Sequence, residues 1–290
     1  MARTTDTMAI NQWYAVASCS DIKPGRIKKT RLLGQPIAIS RGPDDELRCV
    51  EIDEDGNTKP VPSLREQYGF LWVSLGIPTR PIVDIPEFAE DGRRVIRRGE
   101  IGVATSPQRI IENFIDLSHF SFVHTGTLGG YDNAEVPKYN VEYREDETEL
   151  WATECRFFQP KASAATDLST DVLYDYRIPS AFISIIYKDS LIRRGKKDLI
   201  GLFLQPLEET DTIVHSFALV HDEVNTDTHI LHFYHEIFGQ DRGVMIHQTP
   251  KKLPVSPRRD IPTLSDASSI AYRRWLDKSG LEFGLDRNPG

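Results

Sequence analysis

Asp116, His119 and His124 stand close together in a chain of 290 residues that carries only eight histidines. On a helix, a carboxylate three residues before an imidazole can accept from one ring nitrogen and leave the other free to bind a metal ion. Two imidazoles and one more distant carboxylate form the donor set of non-haem Fe(II) sites that keep coordination positions open for O2. Spacing alone leaves the third ligand open among the later acids. Asp241 is the candidate, because Gln240-Asp241-Arg242-Gly243-Val244-Met245 reads as the start of a helix that follows a strand and turns its first residues back toward a sheet.

The other histidines make a weaker case. A His-x4-His pair by itself more often packs and hydrogen-bonds than holds a metal, and it is Asn113 and Asp116 upstream that lift this one above that level. His229, His232 and His235 form a denser cluster. Read as strand residues they alternate faces, with His232 opposite the other two, which favours sheet histidines bonded to their neighbours. His215, His221 and His247 have no partner pattern.

The first pair needs a helix, and Pro107 can start one running through Ile110, Ile111, Phe114, Ile115 and Leu117 to Phe120, with Gly126 as a stop. Glu112, Asn113, Asp116 and His119 then share a polar stripe. His124 falls off that face unless the helix loosens or ends before it, for which Thr125-Gly126 is the expected cause. Downstream, strands are predicted over 139–143, 149–158, 172–176, 181–187, 199–205, 212–220 and 229–234, with helices over 240–248 and 264–278 closing one face of the sheet. Upstream, residues 13–76 read as short strands such as Ile37-Ala38-Ile39 and Phe70-Leu71-Trp72-Val73, separated by turns. Pro78, Pro81 and Pro86 form a connector near residues 78–95, which divides the chain into 1–80 and 81–290. Pocket walls are expected between Val172 and Tyr234, where Phe182, Ile185 and Phe203 serve equally as core or as wall.

Composition sets the outer bounds. A length of 290 residues buries a core without disulfides, and Cys19, Cys49 and Cys155 are too scattered for a CxxC site, so they read as reduced structural thiols. A net charge of -8 argues against nucleic acid as the partner. Two basic clusters, Arg93, Arg94, Arg97 and Arg98, and Arg193, Arg194, Lys196 and Lys197, read as solvated faces. No apolar run is long enough to span a bilayer, and Met1–Ile10 has no secretory pattern, so a cytoplasmic protein without a membrane segment is expected.

Asn113-x2-Asp116-x2-His119-x4-His124 resembles the iron-binding signature of the catalytic subunits of Rieske-type non-haem iron oxygenases. The likeness extends to Asn11-Gln12-Trp13-Tyr14-Ala15-Val16-Ala17 at the family's opening, Tyr68-Gly69-Phe70-Leu71-Trp72-Val73 at the strand closing its Rieske domain, and Arg273-Arg274-Trp275-Leu276 in its C-terminal helix. The resemblance implies an α+β chain in which a helix-grip (START-like) catalytic domain with a long antiparallel sheet follows a small β module. It also implies one Fe(2+) held by His119, His124 and Asp241, with Asp116 as the acidic bridge for electron entry.

One departure stands out. A Rieske centre needs a Cys-x-His and a Cys-x2-His pair, whereas this chain has no histidine before His119 and only Val50–Asn57 between Cys49 and Thr58. Residues 1–80 are therefore expected to be a truncated Rieske-like module without its own [2Fe-2S] cluster. Within that family, the chain resembles the methylxanthine N-demethylases of bacterial caffeine breakdown. That implies oxidative N-demethylation of 7-methylxanthine to xanthine and formaldehyde. It further implies electrons from NADH through a reductase that carries flavin and iron–sulfur centres including a Rieske domain, with a structural subunit as an optional further partner. The competing reading is a non-catalytic ligand-binding or scaffold subunit of an oxygenase complex.

Overall fold

A computed structural model describes residues 3–161, 163–164, 169–256 and 260–288. After a single turn α1 (Thr7–Ile10), the chain lays down β1 (Tyr14–Ser18), β2 (Ile27–Leu32), β3 (Gln35–Arg41), β4 (Leu47–Ile52), β5 (Thr58–Pro60), β6 (Ser63–Gln67) and β7 (Phe70–Ser74). These strands form two small antiparallel sheets, ordered β1-β7-β6 and β2-β3-β4-β5. Between β4 and β5 the chain reverses in a tight turn. Asp53 N donates to Asn57 O at 3.0 Å, Asn57 N donates to Asp53 Oδ1 at 2.7 Å, and Gly56 takes the positive φ of +84° that such a turn requires.

The large sheet has seven antiparallel strands, ordered β8-β14-β13-β12-β11-β10-β9. Its members are β8 (Arg94–Val103), β9 (Asn140–Arg144), β10 (Glu149–Gln159), β11 (Thr170–Ser180), β12 (Ile183–Asp189), β13 (Lys197–Glu208) and β14 (Asp211–Val220). Six were expected from sequence within a few residues. The first, β8, was not, because its run Arg94-Val95-Ile96-Arg97-Arg98 reads as a charge cluster unless the alternation of buried Ile96 and Arg98 with Val95 and exposed Arg97 is noticed.

Central strands of this sheet are covered on both faces. On β13, Leu199 and Phe203 meet the small β module, while Leu202 and Leu204 join the core under the helices. Trp72 of β7, fully buried, packs edge-on to Phe203 with ring centroids 4.6 Å apart, and Phe70 does so at 5.4 Å. Backbone bonds from Leu33 N to Pro206 O (2.8 Å) and Gly34 N to Leu207 O (2.9 Å) tie the module to the end of β13. Buried His215 on β14 bonds Gln205 Oε1 at 2.8 Å, and Gln205 Nε2 donates to Arg31 O at 2.7 Å on β2. Ile185 and Phe203 thus face the module, and Phe182 packs against Tyr14 at 4.9 Å, so all three are core.

Helices occupy the other face. They are α2 (Pro107–Ile115), α3 (Phe120–Val123), α4 (Asp227–Met245) and α5 (Ala267–Ser279). The expected strand over 229–234 is wrong: these residues open α4, whose N-cap Thr226 accepts from His229 N at 3.2 Å. The apolar and aromatic run Ile230-Leu231-His232-Phe233-Tyr234 fits a strand or a helix equally, and the capping threonine decides it. Among the described residues no helix is long and apolar enough to cross a membrane.

Candidate metal centre

The segment that carries the two histidines is a broken helix. Ser106 caps α2 by accepting from Arg109 N, Pro107 occupies its first turn, and the helix ends at Asp116, whose backbone is extended (φ -84°, ψ 129°). Asp116 Oδ1 accepts from Ser118 N at 2.8 Å and from Ser118 Oγ at 2.7 Å, a local side-chain turn that competes with the helix. The continuous helix expected through Phe120 is thereby corrected, and the break lies upstream of Thr125-Gly126. His119 and His124 flank the single turn α3, one at each end.

That geometry turns both rings to one point. His119 Nε2 and His124 Nε2 lie 3.2 Å apart, and Asp241 Oδ1 lies 3.2 Å from the first and 3.0 Å from the second. Among the described residues, only this trio of His, Cys, Asp or Glu side chains is placed to share a metal ion. Asp241 sits about four turns into α4 rather than in its first turn, yet it faces the histidines as expected. His229, His232 and His235 lie on the same helix but take no part: His229 bonds Ala164 O at 3.3 Å and His235 bonds Arg98 O at 2.8 Å.

Second partners fix the rings. His124 Nδ1 donates to Gln240 Oε1 at 2.7 Å, and His119 Nδ1 lies 3.3 Å from Asp116 Oδ2. With both Nδ1 atoms committed as donors, the neutral imidazoles present Nε2 lone pairs toward the carboxylate. Asp241 Oδ1, buried, has no aligned hydrogen-bond donor. With both rings in their neutral form, three acceptors converge without a donor, which suits a divalent cation, and the two-nitrogen, one-oxygen set suits iron. Without a cation, burial disfavours charge on His119, but Asp116 and Asp241 outweigh it and push its pKa up to about 9. Burial likewise opposes ionisation of Asp241, and the two imidazoles more than offset it, holding the carboxyl below its usual range. Metal binding at this point therefore displaces a proton.

His119 separates two spaces. Inward is a narrow cavity, about 60 Å³, bounded by Phe120, Tyr174, Ile186, Ile200, Phe233 and Phe238, which a two-ring ligand enters only by moving side chains. Lys188 also lines it, and burial lowers its pKa to about 8. Outward is a groove of about 770 Å³ lined by Asp116, Asn113, Arg273 and Arg274. Glu112 beside it accepts from Arg109 at 3.0 Å and Arg273 at 2.5 Å, which locks α2 to α5. The sequence missed Arg98: expected on a solvated face, it is 4% exposed and lines the cavity, because β8 turns alternate residues inward.

The vanillate O-demethylase oxygenase C-terminal domain matches residues 103–281. Over 97% of its length and 98% of the relative's, the chain is 42% identical to a probable methylxanthine N7-demethylase, NdmC, of Pseudomonas sp. (strain TJI-51). It is 28% identical to the methylxanthine N1-demethylase NdmA of Pseudomonas putida over 73% of this chain and 58% of that one. The structure of NdmA from Pseudomonas putida CBB5 with caffeine superposes with a TM-score of 0.71, covering 91% of this chain and 89% of NdmA at 19% identity, which shows a shared fold. With a domain match over most of the chain and a close relative along nearly all of it, the protein belongs to the Rieske-type oxygenase demethylases, enzymes of the non-haem iron oxygenase type.

Proposed function

We propose that His119, His124 and Asp241 hold one Fe(2+), and that the chain demethylates 7-methylxanthine to xanthine and formaldehyde. The observation that carries this reading is the convergence of two imidazole nitrogens and one carboxylate oxygen within 3.0–3.2 Å. Similarity to methylxanthine N-demethylases supports the substrate class, and the relative named as a probable N7-demethylase supports the position. Iron held by His119, His124 and Asp241 would supply the O2 activation needed to oxidise an N-methyl carbon, which then leaves as formaldehyde. One O2, two electrons and two protons per methyl group balance N–H, formaldehyde and water.

The chain's own residues do the positioning. Gln240 and Asp116 set the tautomers of the two histidines, and the aromatic and aliphatic cavity walls exclude water. Asp116, with its side chain 24% exposed toward the outer groove, offers electrons a short path to His119. We infer that they come from NADH through a separate reductase bearing flavin and a Rieske centre, because residues 1–80 contain no histidine. Residues 1–80 would then be a Rieske-type module closed at its tip by the Asp53–Asn57 turn, and 81–290 the mononuclear iron domain.

The test combines the full chain with NADH, a Rieske-bearing reductase and each monomethylxanthine, and measures formaldehyde. Release from 7-methylxanthine with about one iron per chain supports the reading. A protein that takes up no iron on anaerobic reconstitution is a scaffold or ligand-binding subunit instead.

A further inference from the structure

We propose that Arg98 anchors the far edge of the substrate, its guanidinium receiving an exocyclic carbonyl or carboxylate oxygen of a planar ring whose reactive group points at His119, His124 and Asp241. This rests on the reading of that trio as the reacting centre.

Arg98 lines the same cavity as the three candidate ligands, yet it is 4% exposed and no carboxylate lies within ion-pair distance among the described residues. Its Nε has no hydrogen-bond partner. The carboxylate whose charge it feels is Asp241 across the cavity, with no direct ion pair among the described residues; a buried guanidinium left so is costly, and a further acceptor entering the cavity offsets that cost. The side chain is held in place rather than loose. Nη2 donates to Tyr234 O at 3.2 Å, and the guanidinium carbon stands 4.8 Å over the Tyr234 ring. The Arg98 carbonyl is itself held by His235 Nε2 at 2.8 Å.

The spacing suits a substrate between anchor and centre. Tyr234 and Asp241 lie seven residues apart on α4, about 10 Å along its axis, a gap that a fused two-ring heterocycle with an exocyclic oxygen can bridge. The planar fork of a guanidinium is matched to such oxygens and rejects a ring that lacks them. Phe233 and Ile237, partly buried on the same helix, are the walls that must give way as the ring enters.

The experiment uses the full chain loaded anaerobically with Fe(II) and measures binding by calorimetry, without turnover. The ligands are 7-methylxanthine, 7-methylhypoxanthine, which lacks the C2 oxygen far from the methyl group, and vanillate, an aromatic carboxylate. Wild type is expected to prefer 7-methylxanthine over 7-methylhypoxanthine by about 10- to 100-fold, the scale of one charge-assisted hydrogen bond. Arg98→Met should abolish that preference, and Arg98→Lys should restore part of it, with thermal melts showing that both variants fold. If wild type binds vanillate and neither purine, the methylxanthine reading fails; the anchor then stands only if Arg98→Met loses vanillate. A folded Arg98→Met protein that discriminates as wild type does, or a wild type that binds none of the three, overturns the proposal.

Discussion

Replacing Gln240 with Leu should weaken iron binding without unfolding the protein. Gln240 Oε1 accepts from His124 Nδ1 at 2.7 Å, and His124 is 1% exposed. Removing the acceptor strands a buried N–H, a cost of about 1–3 kcal/mol, unless the ring moves its proton to Nε2. Either response harms the site, since Nε2 is the atom that faces His119 and Asp241. Loss of such an outer partner lowers metal affinity by about 10- to 100-fold, equivalent to roughly 1.4–2.7 kcal/mol, in line with the cost of the stranded donor. Gln240→Glu keeps an acceptor, and a stronger one, so its affinity should equal or exceed that of wild type. The assay is anaerobic Fe(II) titration against a competing chelator, with melting curves of the metal-free proteins alongside. Should Gln240→Leu bind iron within about twofold of wild type, the account of how His124 is oriented is wrong.

Asp116→Asn should lower turnover while leaving iron affinity within about tenfold, because it keeps an acceptor for His119 but removes the charge facing the outer groove; equal formaldehyde rates would remove Asp116 from the electron path. Gly129→Ala would place a methyl group 2.7 Å from the backbone of Phe120 and Ser121, between the two candidate histidine ligands, and should cost about 1–3 kcal/mol in denaturant unfolding. His215 is held neutral by burial and by Lys28, with its pKa lowered to about 3. The unfolded chain binds a proton there below about pH 6.5 and the folded chain does not, so stability falls as pH drops from about 6.5 toward 3, by at most about 1.4 kcal/mol per pH unit from this residue. His215→Phe should flatten that part of the pH–stability curve relative to wild type, and an unchanged slope would refute the assignment.

Much of the centre was legible before folding because it rests on local signals. The Asp116-x2-His119-x4-His124 spacing survives as contacts, although through a broken helix rather than a continuous one. The break was written in Asp116 and Ser118, whose side-chain turn is a stronger signal than the Thr125-Gly126 pair. A helix start read at Gln240 singles out Asp241, and the resemblance names it as ligand; that helix start was wrong, since nothing local tells that four turns of α4 carry Asp241 back to the histidines. Long strands such as β10 and β13 were readable by their apolar runs. What stayed hidden was tertiary: that β8 buries Arg98, and that Ile185 and Phe203 face the small module rather than the cavity.

The two-sided cover of β12 and β13 couples distant parts of the chain mechanically. Ile186 and Ile200 border the cavity, while Ile185 and Leu199, one residue along, are clamped from behind by the module that carries Trp72. Loosening the amino-terminal strands would soften the wall against which a ligand is pressed. Substitutions there are expected to alter ligand selectivity before they alter metal uptake. The amino-terminal strands therefore have a structural use of their own: they back the wall of the cavity.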